Sequence, residues 1–409
     1  MIGNRSIPIN GLKNENNVID ISDDSSNGSL EEPQRSLSPS SEIYFFEGAE
    51  KRLAVFMSTS SSSGVQQPPD LRKITTDQWA ALLSAVECRI LSTISTSSGN
   101  SGLNAYLLSE SSMFVARDHL MIKTCGNTKL LNCLDQIGLY GRAAGFDQIA
   151  SIRYSRKNLI APELQEPLYQ RFDYERDFIN TVLERNGAVH CFGGKANNSE
   201  DRFFLYTSSS SVAGGQHQHQ HQHQYHQPKH FQSKCIDDAK QEMKSTMEQY
   251  KFEIIMEQLD PSAMAIFMEN NNEKLNASEV TARSGIGQLL PGMMIDDHLF
   301  EPCGYSMNGL IGQQYMTIHI TPEPDFSYVS LETDVPQVNY PDFIAKILRL
   351  FRPQKFMLNI IVPISAVQVA GDLFDAQFHG FVRLEMERTI IDNSTEMVYA
   401  RYGTQHCCC

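Results

Sequence analysis

The chain has 409 residues, with 48 acidic side chains against 34 basic ones and a formal net charge of −14 at pH 7. This charge argues against a groove for nucleic acid and against binding to an anionic membrane surface, and it suits a cationic substrate. A hydrophobic fraction of 41% supplies a core for one large domain or two, and no apolar run approaches the ~18–20 residues of a membrane span.

The first 41 residues are rich in Ser, Asn, Asp, Glu and Pro and contain few large apolar side chains. Because such a composition buries too little apolar surface to fold, we predict a disordered N-terminal tail. The opening stretch MIGNRSIPIN lacks the apolar segment of a secretory signal. The nine cysteines are scattered without the paired spacing of a metal site, so we expect reduced thiols, no metal and a cytosolic location.

A first half is predicted over residues 42–207, from helical spacing of apolar residues in some segments and short apolar runs in others. The predicted helices cover 76–88, 129–141 and 175–183, and the predicted strands cover 89–95, 103–108, 112–124, 150–154, 188–192 and 203–207. Residues 208–247 contain SSSS and QHQHQHQHQYHQ. These histidines could hold a metal weakly, but we interpret the stretch as an insertion in an exposed loop.

A second half is predicted over residues 248–400, followed by a tail at 401–409. Helices are predicted at 251–259 and 341–351, and extended segments at 292–300, 314–320, 327–332 and 355–362. A helix followed by a strand occurs in both halves, which hints at an internal duplication.

The stretch LLSESSMFV, residues 107–115, has two apolar flanks and a polar centre, which predicts a strand broken by a tight turn. A serine hydroxyl in such a turn can attack the preceding carbonyl and convert the amide between Glu110 and Ser111 into an ester. Elimination from that ester would cut the chain and leave a residue that hydrolyses to an N-terminal pyruvoyl group. An isolated S-E-S-S motif is more often an ordinary surface turn, so partners elsewhere in the chain must decide.

Four further stretches supply such partners: FFEGAEKRL at 45–53, KTCG at 123–126, PCGYSMNG at 302–309 and TIHITPEPDFSYVSLET at 317–333. Together with LLSESSMFV, SRKN at 155–158 and LDPSAM at 259–264, they closely resemble eukaryotic S-adenosylmethionine decarboxylase, a pyruvoyl enzyme of polyamine synthesis. The resemblance implies an α+β fold, a four-layer α/β/β/α sandwich of two antiparallel sheets with helices outside and an internal duplication.

The resemblance also implies that the chain cuts itself into a small chain, 1–110, and a large chain, 111–409. The pyruvoyl group formed from Ser111 would replace any diffusible cofactor. It would form a Schiff base with S-adenosylmethionine and accept the electrons released with carbon dioxide. The product would be the aminopropyl donor for spermidine and spermine.

Catalytic roles follow from the same resemblance. Ser306 would hold the cyclic intermediate of the shift, His319 would take the Cα proton of Ser111, and Cys125 would protonate the substrate carbon. Glu47 and Glu50 would support processing and turnover. In isolation, these residues would be interpreted as a loop serine, a structural histidine, a buried thiol and surface charges.

Substrate binding is implied for five residues. Two aromatic rings would stack on the adenine, one carboxylate would bind the ribose diol, and two residues before the cleavage site would lie against the substrate. In that order they are Phe46 and Phe300, Glu323, and Leu108 and Glu110.

Animal relatives bind putrescine in a buried acidic cluster between the sheets, and the diamine speeds processing and catalysis. The polar members that remain here are Lys123, Glu253 and Glu332, whereas Arg153 and Lys251 bring two cations. Other members of the cluster are replaced by Ala54, Gln249 and Ile361. We expect Arg153 or Lys251 to pair with Glu253 and Glu332, and putrescine activation to be weak or absent. The alternative is that both cations point to solvent.

Two other functions stay open. A catalytically dead paralogue could regulate an active partner, although it should have lost Ser111, Cys125 or His319, and all are present. A thiol hydrolase could use Cys125 and His319, but it would leave LLSESSMFV without a role. Relatives occur as single cleaved protomers or as dimers, so a homodimer is a further possibility.

Overall fold

The structure, a computed structural model, describes residues 48–59, 68–96, 102–194, 201–210, 250–268, 274–366, 372–373 and 375–404. The predictions for the N-terminal tail, Phe46, Glu47 and most of the His-rich insertion lie outside these residues. Within them, sixteen strands form two antiparallel sheets of eight strands each.

The first sheet has the strand order β2-β3-β4-β5-β1-β6-β8-β7. Its strands are β1 Lys51–Ser58, β2 Ile90–Ser95, β3 Asn104–Leu108, β4 Ser111–Val115, β5 His119–Thr124, β6 Gln148–Lys157, β7 Ala188–Phe192 and β8 Phe203–Ser209.

The second sheet has the order β10-β11-β12-β13-β9-β14-β16-β15, which is the first order with eight added to every number. Its strands are β9 Lys251–Leu259, β10 Met294–Leu299, β11 Tyr305–Ile311, β12 Gln314–Thr321, β13 Tyr328–Thr333, β14 Pro353–Pro363, β15 Phe381–Ile390 and β16 Thr395–Thr404. The repeated order supports the predicted internal duplication.

Helices cover the outer face of each sheet. They are α1 Thr76–Ala85, α2 Leu134–Ala143, α3 Phe172–Leu183, α4 Pro261–Met264, α5 Ala277–Ser284 and α6 Tyr340–Phe351. Leu53 of β1 shares a core with Trp79 of α1, and Ile254 of β9 shares another with Ile347 of α6. The predicted α/β/β/α sandwich is therefore confirmed. No helix among the described residues is long and apolar enough to span a membrane.

The layer between the sheets is apolar at two places and polar elsewhere. Phe114 and Tyr315 meet across the sheets with ring centroids 4.4 Å apart, and Leu205 packs with Ile255. Buried charged side chains from β1, β5, β9 and β13 fill the space between these apolar clusters. This polar layer holds the candidate site.

The helix predicted at 251–259 is wrong, because Lys251–Leu259 forms the central strand β9. Phe252, Ile254 and Met256 face the helix layer and share its core, whereas the intervening Glu253 bonds to Lys123 of the other sheet. Such an alternation has the period of a strand. Charged residues at the inward-facing positions obscured this alternation in the sequence, because buried charges resemble the solvent-exposed face of a helix.

Other strands were missed or misjudged in extent. The predicted strand 112–124 is a hairpin of β4 and β5, and β1, β11, β15 and β16 were not predicted. Residues 401–404 belong to β16 and are not a tail, because β16 is hydrogen-bonded to strands on both sides.

Candidate active site

The turn predicted within LLSESSMFV is present. Ser109 and Glu110 connect β3 to β4, and Leu108 pairs with Ser111 across the hairpin. Ser111 has a φ of 139°, a region that side-chain-bearing residues rarely adopt. Such a conformation costs on the order of 1–3 kcal/mol, and strained residues of this kind cluster at functional sites. The backbone of Ser111 is therefore strained at the point where β4 begins.

His319 of β12 lies across the sandwich from this hairpin and is fully buried. Its Nδ1 is 2.7 Å from Oε1 of Glu50. The Ser111 Oγ is 3.1 Å from Nδ1 and 3.2 Å from Nε2 of the same ring. A carboxylate can only accept, so Nδ1–H donates to Glu50 and Nε2 is left as the basic nitrogen. Three predicted residues thus form a hydroxyl–imidazole–carboxylate chain.

Sequence reasoning missed the hydroxyl groups that surround Nε2. The Ser112 Oγ is 2.9 Å from Nε2 and 2.7 Å from Asn308 Oδ1, and the Thr317 Oγ1 is 3.1 Å from Nε2. Asn308 is two residues beyond Ser306, and Thr317 is two before His319, so each shares a sheet face with a predicted residue. The signal in the sequence that could have found them was the spacing of two residues along a strand, which places their side chains on the same face as Ser306 and His319.

Electrostatics keep His319 neutral and Glu50 charged. Burial lowers the pKa of His319, and the Glu50 carboxylate only partly opposes this. Burial alone would raise the pKa of Glu50, but Lys123 and His319 lower it to about 2. A neutral imidazole beside a fixed carboxylate can accept a proton, because the resulting imidazolium would be stabilised in place.

Ser306 lies directly opposite His319 in the pairing of β11 with β12. Its hydroxyl is fully buried and has no hydrogen-bond partner among the described residues. A buried hydroxyl without a partner is costly, and it is free to donate to a reacting group that arrives beside it.

Cys125 follows β5 and lies against the residue before the cleavage bond. Its Sγ is 3.7 Å from Oε2 of Glu110, and its backbone N–H donates to the Glu110 carbonyl at 3.1 Å. Burial, with the Glu110 charge, raises the pKa of the Cys125 thiol well above its usual range. The side chain is therefore a neutral proton donor and a poor nucleophile.

Three predicted substrate-binding residues can be placed. Phe300 is nearly buried, and its ring centroid is 4.6 Å from that of His298. One carboxylate oxygen of Glu323 has no hydrogen-bond partner among the described residues, and Leu108 is fully buried in the hairpin. Phe46 and Glu47 lie outside the described residues, so their predicted roles stay predictions.

A buried charged cluster adjoins Glu50. Lys123 Nζ lies 3.3 Å from Glu50, 2.8 Å from Glu253 and 3.0 Å from Glu332. Lys251 Nζ lies 3.1 Å from Glu253, as the sequence predicted. Burial would raise the pKa values of Glu253 and Glu332, but the neighbouring cations hold both below the usual range.

Arg153 is not part of this cluster, and that prediction is wrong. Its guanidinium lies 2.7 Å from Asp392 and 3.2 Å from Thr395, in another region of the layer. Arg52 takes the expected place instead, with Nε 2.7 Å from Glu332 Oε1. Arg52 is an inward-facing residue of β1, whereas Arg153 pairs with Ala54, two positions further along that strand. This displacement along β1 brings it opposite Asp392 and not Glu332.

The chain is similar to known proteins over most of its length. Residues 43–403 match the family model described as "Adenosylmethionine decarboxylase". The S-adenosylmethionine decarboxylase proenzyme of Drosophila melanogaster is 39% identical, over 78% of this chain and 82% of the relative. The Xenopus laevis proenzyme is 38% identical over 79% and 84%. Proenzyme 3 of Arabidopsis thaliana is 31% identical over 89% and 95%.

Proposed function

Since this chain belongs to the adenosylmethionine decarboxylase family, we propose that it cuts itself between Glu110 and Ser111. We propose further that it decarboxylates S-adenosylmethionine with the pyruvoyl group so formed. The product would donate aminopropyl groups in spermidine and spermine synthesis. The observation that carries the proposal is the placement of His319 between the Ser111 hydroxyl and the Glu50 carboxylate.

Processing begins with the Ser111 Oγ, which attacks the carbonyl carbon of Glu110 while the amide nitrogen gains a proton and leaves as an amine. Ser306 is the proposed donor to the oxyanion of this shift, because its buried hydroxyl has no other partner among the described residues. The strained φ of Ser111 raises the energy of the uncleaved chain and so favours conversion of the amide into the ester. Nε2 of His319 then takes the Cα proton, the Cβ–Oγ bond of residue 111 breaks, and the main-chain carboxylate of Glu110 leaves with the electron pair of that bond as the new C-terminus of the small chain. Addition of water and loss of ammonia give the pyruvoyl end.

Turnover uses a different residue. The pyruvoyl group supplies a carbonyl that condenses with the substrate amine and accepts the electrons freed by loss of carbon dioxide. We assign the return of a proton to the substrate carbon to Cys125, whose buried thiol stays protonated and faces Glu110. Phe300 and Glu323 are the proposed contacts for adenine and ribose.

The other functions have less support. A dead paralogue has no need of an assembled Ser111–His319–Glu50 chain with a strained residue at its head. A thiol hydrolase requires a thiolate next to a histidine. Here Cys125 contacts Glu110, and burial raises the pKa of its thiol. The cytosolic location and the homodimer stay predictions.

We propose that internal cations replace putrescine. Arg52, Lys123 and Lys251 face Glu50, Glu253 and Glu332 among the described residues, so three positive charges balance three negative ones. A dication that entered this cluster would add two uncompensated buried charges, which is strongly unfavourable. Activity without the diamine is therefore expected.

The test of the proposed function is release of carbon dioxide from carboxyl-labelled S-adenosylmethionine by purified protein, with Ser111→Ala as the control. Wild-type protein should release it and the variant should not. Equal release by both proteins, or no release by fully cleaved wild type, would contradict the proposal.

A further inference from the structure

Lys51 is a fully buried cation that the steps above do not use. It is the first residue of β1 and lies beside Arg52, so it points to the opposite face of the sheet, toward the helix layer. Its Nζ lies 5.0 Å from the centre of the Tyr169 ring, and the Tyr169 hydroxyl accepts from the Leu131 backbone at 2.9 Å. The ammonium therefore rests on an aromatic ring that is itself fixed.

The same ammonium holds the turn that carries Cys125. Lys51 Nζ donates to the Gly126 carbonyl at 2.7 Å. Thr128 Oγ1 donates to the Cys125 carbonyl at 2.9 Å. The Cys125 N–H donates to the Glu110 carbonyl. Three hydrogen bonds therefore hold the turn in place. Gly126 has a φ of 62°, a left-handed conformation that glycine adopts without strain.

We propose that Lys51 is a positioning residue that fixes the Cys125 thiol beside the cleavage site through the Gly126 carbonyl. This inference rests on the proposed function, in which that thiol returns the proton. The thiol must reach the substrate carbon and not the carbon derived from Ser111. Displacement of a catalytic group by about 1 Å can cost on the order of 100-fold in rate. A buried ammonium bound to the carbonyl restricts such a displacement, because moving the carbonyl would break a charge-assisted hydrogen bond.

The consequence of misplacement is chemically distinct. A proton added to the carbon derived from Ser111, followed by hydrolysis, leaves an alanine residue at the terminus and releases the substrate portion as an aldehyde. The terminus then has a free amine and is open to sequential degradation, whereas a pyruvoyl end is blocked. Lys51→Met keeps the length of the side chain and removes its charge and its hydrogen bonds.

The first experiment needs no activity. In the uncleaved Ser111→Ala background, the rate of Cys125 alkylation by iodoacetamide is measured by mass spectrometry, with the buried Cys88 and Cys133 as internal controls. Lys51→Met should raise the Cys125 rate at least fivefold and leave the other two within twofold. An equal rise at all three thiols would show general loosening and overturn the proposal, as would no rise at all.

The second experiment uses processed enzyme. Lys51→Met should lower kcat at least fivefold, leave KM within twofold and form the alanine terminus in fewer turnovers. Lys51→Arg should recover most of the kcat, and the exposed Lys346→Met is the matched control. Wild-type kcat and lifetime in Lys51→Met would refute the inference alone, whereas inactive wild type would refute the proposed function. If Lys51→Met does not fold, Thr128→Val is used in its place. This variant removes the hydrogen bond to the Cys125 carbonyl, which holds the same turn, and it must give the same rise in Cys125 alkylation.

Discussion

His319 Nδ1 lies 2.7 Å from Oε1 of Glu50, and this contact orients the imidazole toward the cleavage site. Because the carboxylate accepts from Nδ1, the other nitrogen faces the hydroxyls of Ser111 and Ser112 as a base. The pKa of Glu50 is lowered to about 2 by Lys123 and His319 despite its burial, so Glu50 stays charged throughout the physiological range. The Glu50–His319 pair therefore links the charged cluster to the processing chemistry.

Glu50→Gln should slow processing at least tenfold, about 1.4 kcal/mol of barrier, because a neutral amide stabilises the imidazolium less well. Loss of the base affects elimination, so the ester should accumulate. The measurement is the time course of cleavage with and without hydroxylamine, which cuts esters and spares amides. His319→Ala should stall at the ester completely.

The matched control is Glu257→Gln, which changes a carboxylate that bonds to Lys157 and Lys355, and this variant should process at the wild-type rate. Wild-type cleavage in Glu50→Gln would remove this pair from the mechanism.

Cys125→Ala should process normally but lose at least 90% of its decarboxylation, or inactivate within far fewer turnovers. The physical reason is that general acid catalysis contributes roughly 100- to 10,000-fold. Chain cleavage and product formation are measured on the same preparation. Cys303→Ala, which changes another buried thiol, is the control. If Cys125→Ala kept the wild-type rate and lifetime, a different group would have to supply the proton.

Extensively dialysed wild-type enzyme should be fully processed and near its maximal rate, and titration with putrescine should change that rate less than twofold. Arg52→Leu combined with Lys251→Thr should lower basal activity at least fivefold, because Glu253 and Glu332 would then share only Lys123. Putrescine should restore part of the loss. Arg153→Phe, which removes a cation that bonds to Asp392, is the matched control. Several-fold stimulation of wild type that saturates at low putrescine concentration would refute replacement by internal cations.

A partly buried carboxylate, Glu257, lies between two lysines and predicts how stability depends on pH. Burial would raise the pKa of Glu257, but Lys157 and Lys355 lower it to about 2, below the model-peptide value of 4.5. A group with a lowered folded pKa stabilises the fold above its unfolded pKa, and the stabilisation is lost as the pH falls through the folded value. Glu257→Gln should therefore remove about 3 kcal/mol of stability at pH 7 and about 2 kcal/mol at pH 3.5. Urea unfolding at both pH values measures the difference, and a constant cost would show that Glu257 does not act through its charge.

The residues that the sequence located best lie within uninterrupted motifs. Ser111, Cys125, Ser306 and His319 were predicted near one another, and the structure gathers them around one hairpin. The fold class was also predicted, but it came from the family resemblance, and the helix-strand pair in each half gave only a hint of the duplication. Prediction failed where buried charge interrupts the apolar pattern, as in β9, because a lysine or glutamate between two sheets looks like a surface residue. Arg52 was missed for a related reason. Its partner Glu332 is 280 positions away, and only the register of β1 against β5 and the stacking of the sheets bring them together.

The backbone of Ser111 could not have been predicted from residue types, because a φ of 139° is imposed by the hairpin and by contacts with His319. Intact mass analysis of freshly purified protein tests self-cleavage at this residue most directly. Wild type should give two chains, residues 1–110 and 111–409, with a ketone at the start of the larger one, and Ser111→Ala should give one uncut chain. Cleavage at the same bond in Ser111→Ala, or a wild-type chain that stays whole on long incubation, would contradict self-processing by Ser111.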